Sequence, residues 1–100
     1  MTYTIEQDFK YRGKDMWDWW VWVEGADVDL DKIKSVEYTL HPTFYNPVRV
    51  VDDRATKFRL KTAGWGGFTI YANLAFEDGH TENLEHELVL RYQDGRKTLK

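Results

Sequence analysis

The chain has 100 residues, a formal net charge of −3 and no Cys, and 16% of it is aromatic, with five Trp. That is the length of one domain, able to fill a modest core without a metal or disulfide. Electrostatically driven nucleic-acid binding is excluded because Lys and Arg are scattered, and thiolate metal sites and thiol nucleophiles are excluded with Cys.

No stretch approaches the ~20 apolar residues of a membrane span, and the N-terminus carries no apolar run of signal-peptide length. Together with the lack of Cys, this leads us to expect a cytoplasmic protein with no membrane partner. Thr2 to Tyr11 alternates Tyr3 and Ile5 with polar residues and predicts an edge-like first strand. Arg12-Gly13-Lys14-Asp15 reads as a turn. Trp17 to Glu24 predicts a strand with Trp17, Trp19, Val21 and Val23 on one face. Trp20 and Trp22 share the other face with Asp18 and Glu24. Two Trp are too many for a solvated face. Packing beneath the N-terminal strand or a long loop is the first expectation, and a subunit contact the second; overall we expect a monomer.

Gly25 to Lys34 alternates Asp27, Asp29 and Asp31. A calcium loop counted from Asp27 needs Gly at its sixth position and Glu at its twelfth. Lys32 and Tyr38 stand there, so we read a solvated loop with one helical turn through Asp29–Ile33. Ile33 to Leu40 is a strand ending at His41-Pro42, and Pro47 to Val51 continues extended. Asp52 to Thr56 is a polar loop, and Lys57 to Lys61 predicts a short strand around Phe58 and Leu60. Phe68 to Phe76 is the longest clean alternation, and Asp78-Gly79 is the strongest hairpin signal. Thr81 to Tyr92 pairs back with Leu84, His86, Leu88 and Leu90 facing one way, and Gln93-Asp94-Gly95-Arg96 is a further turn. About seven or eight short strands and no amphipathic helix predict an all-β sandwich, one domain over 1–100.

Chemistry is sparse. The only Ser is Ser35, inside a strand, with no Gly-x-Ser-x-Gly elbow. His41 stands alone at a strand end and reads as a hydrogen-bonding residue. His80 and His86 lack an evident third ligand, so neither a metal nor another cofactor is expected. Gly64-Trp65-Gly66-Gly67 lacks the Lys-(Ser/Thr) of a phosphate loop. It is either a turn with its Trp folded onto the core or a place where a ligand runs close to the backbone. An enzyme needs a base, nucleophile or metal in a pocket, and none stands out. Aromatic faces and a few donors suit a binding module.

Leu40-His41-Pro42-Thr43-Phe44-Tyr45-Asn46-Pro47-Val48-Arg49 and Gly64-Trp65-Gly66-Gly67-Phe68 both read as loops at strand ends. As a pair they resemble the YEATS domain, whose loops carry Leu-His-x-(Ser/Thr)-(Phe/Tyr)-x-x-Pro-x-Arg and Gly-Trp-Gly-x-Phe. The resemblance runs from about Trp17 to Leu90. Thr43 where Ser is usual, Trp17 in place of a His, and no Pro-Pro pair in Asp52 to Lys57 make the chain look like a prokaryotic member. The resemblance implies an immunoglobulin-like sandwich and a non-enzymatic reader of acylated lysine (acetyl or crotonyl) on a protein or peptide partner. It implies a pocket lined by His41, Thr43, Phe44, Gly64, Trp65 and Gly66, with the Thr43 hydroxyl and the Trp65 N–H bonding the acyl amide. Two alternatives stay open. One is a protein-interaction adaptor of a bacterial signalling or defence protein that keeps the fold without the acyl site. The other is a carbohydrate-binding sandwich, which would carry a coplanar row of exposed aromatics.

Overall fold

A computed structural model describes residues 3–92. The strand β1 (Thr4–Gly13) turns back into β2 (Met16–Glu24) through Lys14 and Asp15, at φ 56° and 59°. Two consecutive positive φ values match the right-handed strand twist in a two-residue hairpin, and Gly13 (φ 99°) relieves the strain before it. One helical turn, α1 (Asp27–Leu30), leads into β3 (Ile33–Thr39), and β4 (Val48–Val51) follows the first aromatic loop. A 3₁₀ turn (Arg54–Thr56) precedes β5 (Leu60–Gly64). The chain then runs through β6 (Phe68–Phe76) and β7 (Thr81–Leu88).

The strands form two antiparallel sheets, β1-β2-β5 and β4-β3-β6-β7. Strict alternation decides which side of each is buried, because a one-residue slip would turn every side chain over. Trp17, Trp19, Val21 and Val23 are fully buried and meet Val36, Tyr38, Ile70 and Leu74 from the other sheet. The result is an immunoglobulin-like β-sandwich with an aromatic core. The Tyr38 hydroxyl is satisfied inside it by the Phe58 carbonyl at 2.7 Å.

The sheets are also tied at one open edge. The Gln7 side-chain amide donates to the Val89 carbonyl at 2.7 Å and accepts from the Val89 N–H at 3.0 Å, imitating a strand partner. His86 Nε2 lies 2.7 Å from the same Gln7 oxygen. Trp17 Nε1 donates to the Arg91 carbonyl at 2.8 Å, with Tyr11 and Tyr92 against its ring.

Four sequence expectations need correcting. The strand placed at Lys57–Lys61 starts at Leu60 and reaches Gly64. Lys57 and Phe58 are left-handed, at φ 56° and 60°, because they close the 3₁₀ turn onto Arg54 and Asp53. The helical turn lies at Asp27–Leu30 rather than Asp29–Ile33, since the Asp29 and Leu30 amides both reach the Ala26 carbonyl. The last strand stops at Leu88, where Val89 is taken by Gln7. Trp20 and Trp22 are not covered by the N-terminal strand, which joins β2 edge to edge, opposite Glu6 and Asp8. They are half-buried by neighbours instead: the Lys61 ammonium sits 5.5 Å from the Trp20 ring, and Trp22 Nε1 donates to Glu24. The acidic run is met by Arg54, which pairs with Asp31 at 2.8 Å and Asp27 at 3.4 Å. The turn expected at Gln93–Arg96 lies outside the described residues.

Candidate functional site

The loop after β3 is closed at its base by Leu40, whose N–H donates to the Pro47 carbonyl at 2.7 Å. Arg49 braces its back, with Nε 2.6 Å from the Asn46 carbonyl and a terminal nitrogen 2.9 Å from the Tyr45 carbonyl. Asn46, at φ 53°, makes the reversal. Inside the loop the Phe44 N–H donates to the His41 carbonyl at 3.0 Å. The Thr43 N–H points at His41 Nδ1 from 3.3 Å, a geometry that suits the tautomer with its ring hydrogen on Nε2. The Thr43 hydroxyl lies 2.9 Å from the same Nδ1. In that tautomer its hydrogen goes to the imidazole, and its oxygen lone pairs remain for a further donor.

Phe44 is half-buried, set edge-on to Trp19 at 6.2 Å and tilted on Phe68 at 5.3 Å. His41 meets the same Phe68 ring at 6.1 Å. The loop is thus held by the aromatic end of the core. The β5–β6 loop comes from the opposite sheet's edge. Gly64 pairs with Trp17 and is buried. A Cβ there would stand 3.2 Å from Trp19 Nε1 and 3.5 Å from Phe44 Cζ, so glycine keeps this space open for close approach. Trp65 follows at 49% exposure.

His41, Thr43, Phe44, Gly64, Trp65 and Gly66 all line one cavity of about 440 Å³. Met16, Tyr45, Ala63, Gly67 and Phe68 complete it, and no Asp, Glu, Lys or Arg is among these lining residues. Tyr45, Gly67 and Phe68 lie in the two loops that the sequence singles out, though outside the six expected site residues, whereas Met16 and Ala63 were missed. Met16 and Ala63 enter because β2 and β5 run side by side there, with Trp17 opposite Gly64 and Asp18 opposite Ala63. That pairing joins residues 47 and 45 positions apart and leaves no local signal. Trp19 was legible only as core. Its buried Nε1 has no hydrogen-bond partner among the described residues, which costs roughly 1–3 kcal/mol.

The two remaining histidines lie away from this cavity. His80 stacks on Phe76 at 4.2 Å and bonds Asp78 and Glu82. The hydrogen bond to Asp78 comes first among the causes that raise its pKa. His86 is held below the usual imidazole value by burial, partly offset by Glu6 and Glu87. Among the described residues, no group of three or more His, Asp or Glu is placed to hold a metal ion, and no helix is long and apolar enough to cross a membrane.

Comparison with known proteins agrees with this fold. The Protein AF-9 homolog of Eremothecium gossypii is 41% identical over 81 residues, covering 75% of this chain and 38% of that protein. The chain therefore spans less than half the length of that relative. The solved Yaf9 YEATS domain bound to H3K27ac superposes with a TM-score of 0.69 at 26% identity, over 96% of this chain and 75% of that one. The Yaf9 YEATS domain recognising an H3K122suc peptide gives 0.64 at 29% identity, over 86% and 65%. The family model of the prokaryotic YEATS domain matches residues 17–89. The chain belongs to that family.

Proposed function

We propose that this domain is a non-enzymatic reader of acylated lysine, which it takes between the His41–Phe44 loop and the Gly64–Gly67 loop. One observation carries the reading: six residues from two distant loops line a single cavity without formal charge. Acylation turns a lysine cation into a neutral amide with an apolar tail. Such a group is costly to desolvate unless its N–H and C=O find partners, each worth ~1 kcal/mol net. The Thr43 oxygen, its hydrogen given to His41, accepts the amide N–H. The backbone at glycine-flanked Trp65 meets the carbonyl. The apolar tail lies toward Phe44, Phe68 and Met16. Few groups hold the ligand, so binding is weak. An unmodified lysine is rejected because no lining carboxylate compensates its charge.

The Yaf9 domain bound to H3K27ac supports the ligand class at the level of the fold. The partner here is an acylated protein or peptide, in the cytoplasm by the compositional reading. Calorimetry with matched acetyl-lysine and unmodified-lysine peptides, on the wild type and on Thr43→Val, tests the mechanism. The acetyl peptide alone should bind, and Thr43→Val should weaken it by about fivefold, the value of one hydrogen bond. Equal binding of both peptides would sink the proposal.

A further inference from the structure

The outer face of the β4-β3-β6-β7 sheet has features that the loop-end cavity does not use. Register sets two rows across it, Val48–Thr39–Tyr71–Glu85 and Val50–Glu37–Asn73–Asn83. With strands ~4.8 Å apart, each row is a band ~14 Å long. Glu37, Thr39, Tyr71, Asn73, Asn83 and Glu85 line a cleft of about 290 Å³.

Three observations set this cleft apart from an ordinary solvated face. The Asn73 side-chain oxygen is buried and lacks a hydrogen-bond partner among the described residues, a cost that a turn of its amide toward the cleft would relieve once a donor stood there. Tyr71, beside it, is 52% exposed and presents a ring to the cleft's occupant. Finally, the outward positions of these four strands carry Glu37, Glu85 and Glu87 against a single cation, Lys34, at the bulge that opens β3. Arg49 pairs with inward-facing Tyr38, and its guanidinium is taken by the Tyr45 and Asn46 carbonyls. Glu87 is engaged by the Thr69 hydroxyl at 2.8 Å, leaving Glu37 and Glu85 flanking Asn73 and Tyr71.

We propose that this cleft is a second docking site, which takes an arginine side chain of a partner protein. Arginine matches the chemistry on every count. It brings five N–H donors and no acceptor to a cleft flanked by two exposed carboxylates. Its charge complements the two glutamates, and its flat guanidinium lies on an exposed aromatic ring. Its aliphatic stem can cover Val48 or Val50, which are 50% and 66% exposed at the end of each row. Lysine lacks the plane and two of the donors. A neutral saccharide can donate hydroxyls to the glutamates but brings no charge to complement them.

The test is a titration of the ¹⁵N-labelled protein with acetyl-Gly-Arg-Gly-amide, its citrulline counterpart and methyl glucoside, at low salt. The arginine peptide should shift the Asn73 and Asn83 side-chain amides and the Tyr71 backbone while leaving Gly64–Gly67 in place. Citrulline, which keeps the shape and loses the charge, should shift none of them. The double variant E37Q/E85Q preserves side-chain shape at exposed sites, so its spectrum should stay folded. Its affinity for the arginine peptide should fall by about three- to tenfold, the size of two exposed ion pairs. No shift with the arginine peptide, equal shifts with citrulline, or unchanged affinity in E37Q/E85Q would each overturn the proposal. Shifts with methyl glucoside alone would assign the cleft to a sugar instead.

Discussion

Replacing Gly64 by Ala separates the pocket from the fold. The added Cβ stands 3.2 Å from Trp19 Nε1 and 3.5 Å from Phe44 Cζ. Trp19 is fully buried in the middle strand of its sheet and cannot yield. The β5 backbone at Gly64 must therefore draw back by a few tenths of an ångström, whereas the 3.5 Å to Phe44 is ordinary van der Waals contact. The φ of Gly64 is outside the left-handed region, so alanine meets no backbone strain. Overpacking costs roughly 1–3 kcal/mol, against a gain of roughly 0.4–1 kcal/mol from a stiffer unfolded chain. The net loss is about 1 kcal/mol, or a melting temperature lower by about 4–8 °C for a domain this size. Binding should suffer more, because the methyl fills the cavity floor beside Phe44. We expect at least a tenfold loss of acetyl-lysine peptide affinity, ~1.4 kcal/mol or more. Thermal melting and calorimetry on the same samples compare the two effects. A folded Gly64→Ala protein that binds like the wild type would refute the placement of the ligand over this floor.

Other expectations follow from the same contacts. Trp65→Ala removes a half-exposed ring and should abolish measurable peptide binding while moving the melting temperature by less than about 3 °C; a large destabilisation would mean that Trp65 is structural. A succinyl-lysine peptide should bind more weakly than a butyryl-lysine peptide, since its carboxylate meets no lining Lys or Arg; competition calorimetry decides it. Gln7→Ala removes both bonds to Val89 and the contact with His86 and should cost about 2 kcal/mol in urea unfolding. A loss under about 0.5 kcal/mol would show that the edge staple is idle.

For pH, the folded pKa of His86 lies below its unfolded value of 6.5. The unfolded chain therefore binds more protons as pH falls past 6.5, and this residue subtracts stability there. His80 runs the other way: its pKa is raised, so its contribution is present at low pH and fades as pH rises through the folded value. His86→Gln should flatten the acid-side loss of stability, and His80→Gln should deepen it. Identical urea midpoints for both variants across pH 5–8 would contradict the assignment.

Much of this was readable in the chain because two-residue periodicity is a local signal. β6 begins at Phe68 and ends at Phe76 as its alternation indicates, and the buried face of β2 is the one its spacing names. β5 was misjudged because Phe58 reaches the core from a left-handed turn rather than a strand, and a left-handed Phe has no sequence signature. The outward Trp20 and Trp22 were ambiguous because their shelter is a lysine stem and a glutamate on neighbouring positions. The candidate site divides in the same way. Its six resemblance-derived residues meet at one cavity. The floor under them depends on Gly64 lying against Trp19 and Phe44, which only the pairing of β2 with β5 reveals. The Gln7–Val89 link spans 82 positions and is likewise invisible until the sheets are stacked.

The central claim is that the two loops form one acyl-lysine pocket. ¹⁵N-resolved NMR titration of the wild type and Trp65→Ala with acetyl- and crotonyl-lysine peptides tests it most directly. The account predicts shifts confined to His41–Phe44 and Gly64–Gly67, absent with unmodified lysine and lost in the variant. A folded wild-type protein showing no shifts at millimolar peptide would contradict it.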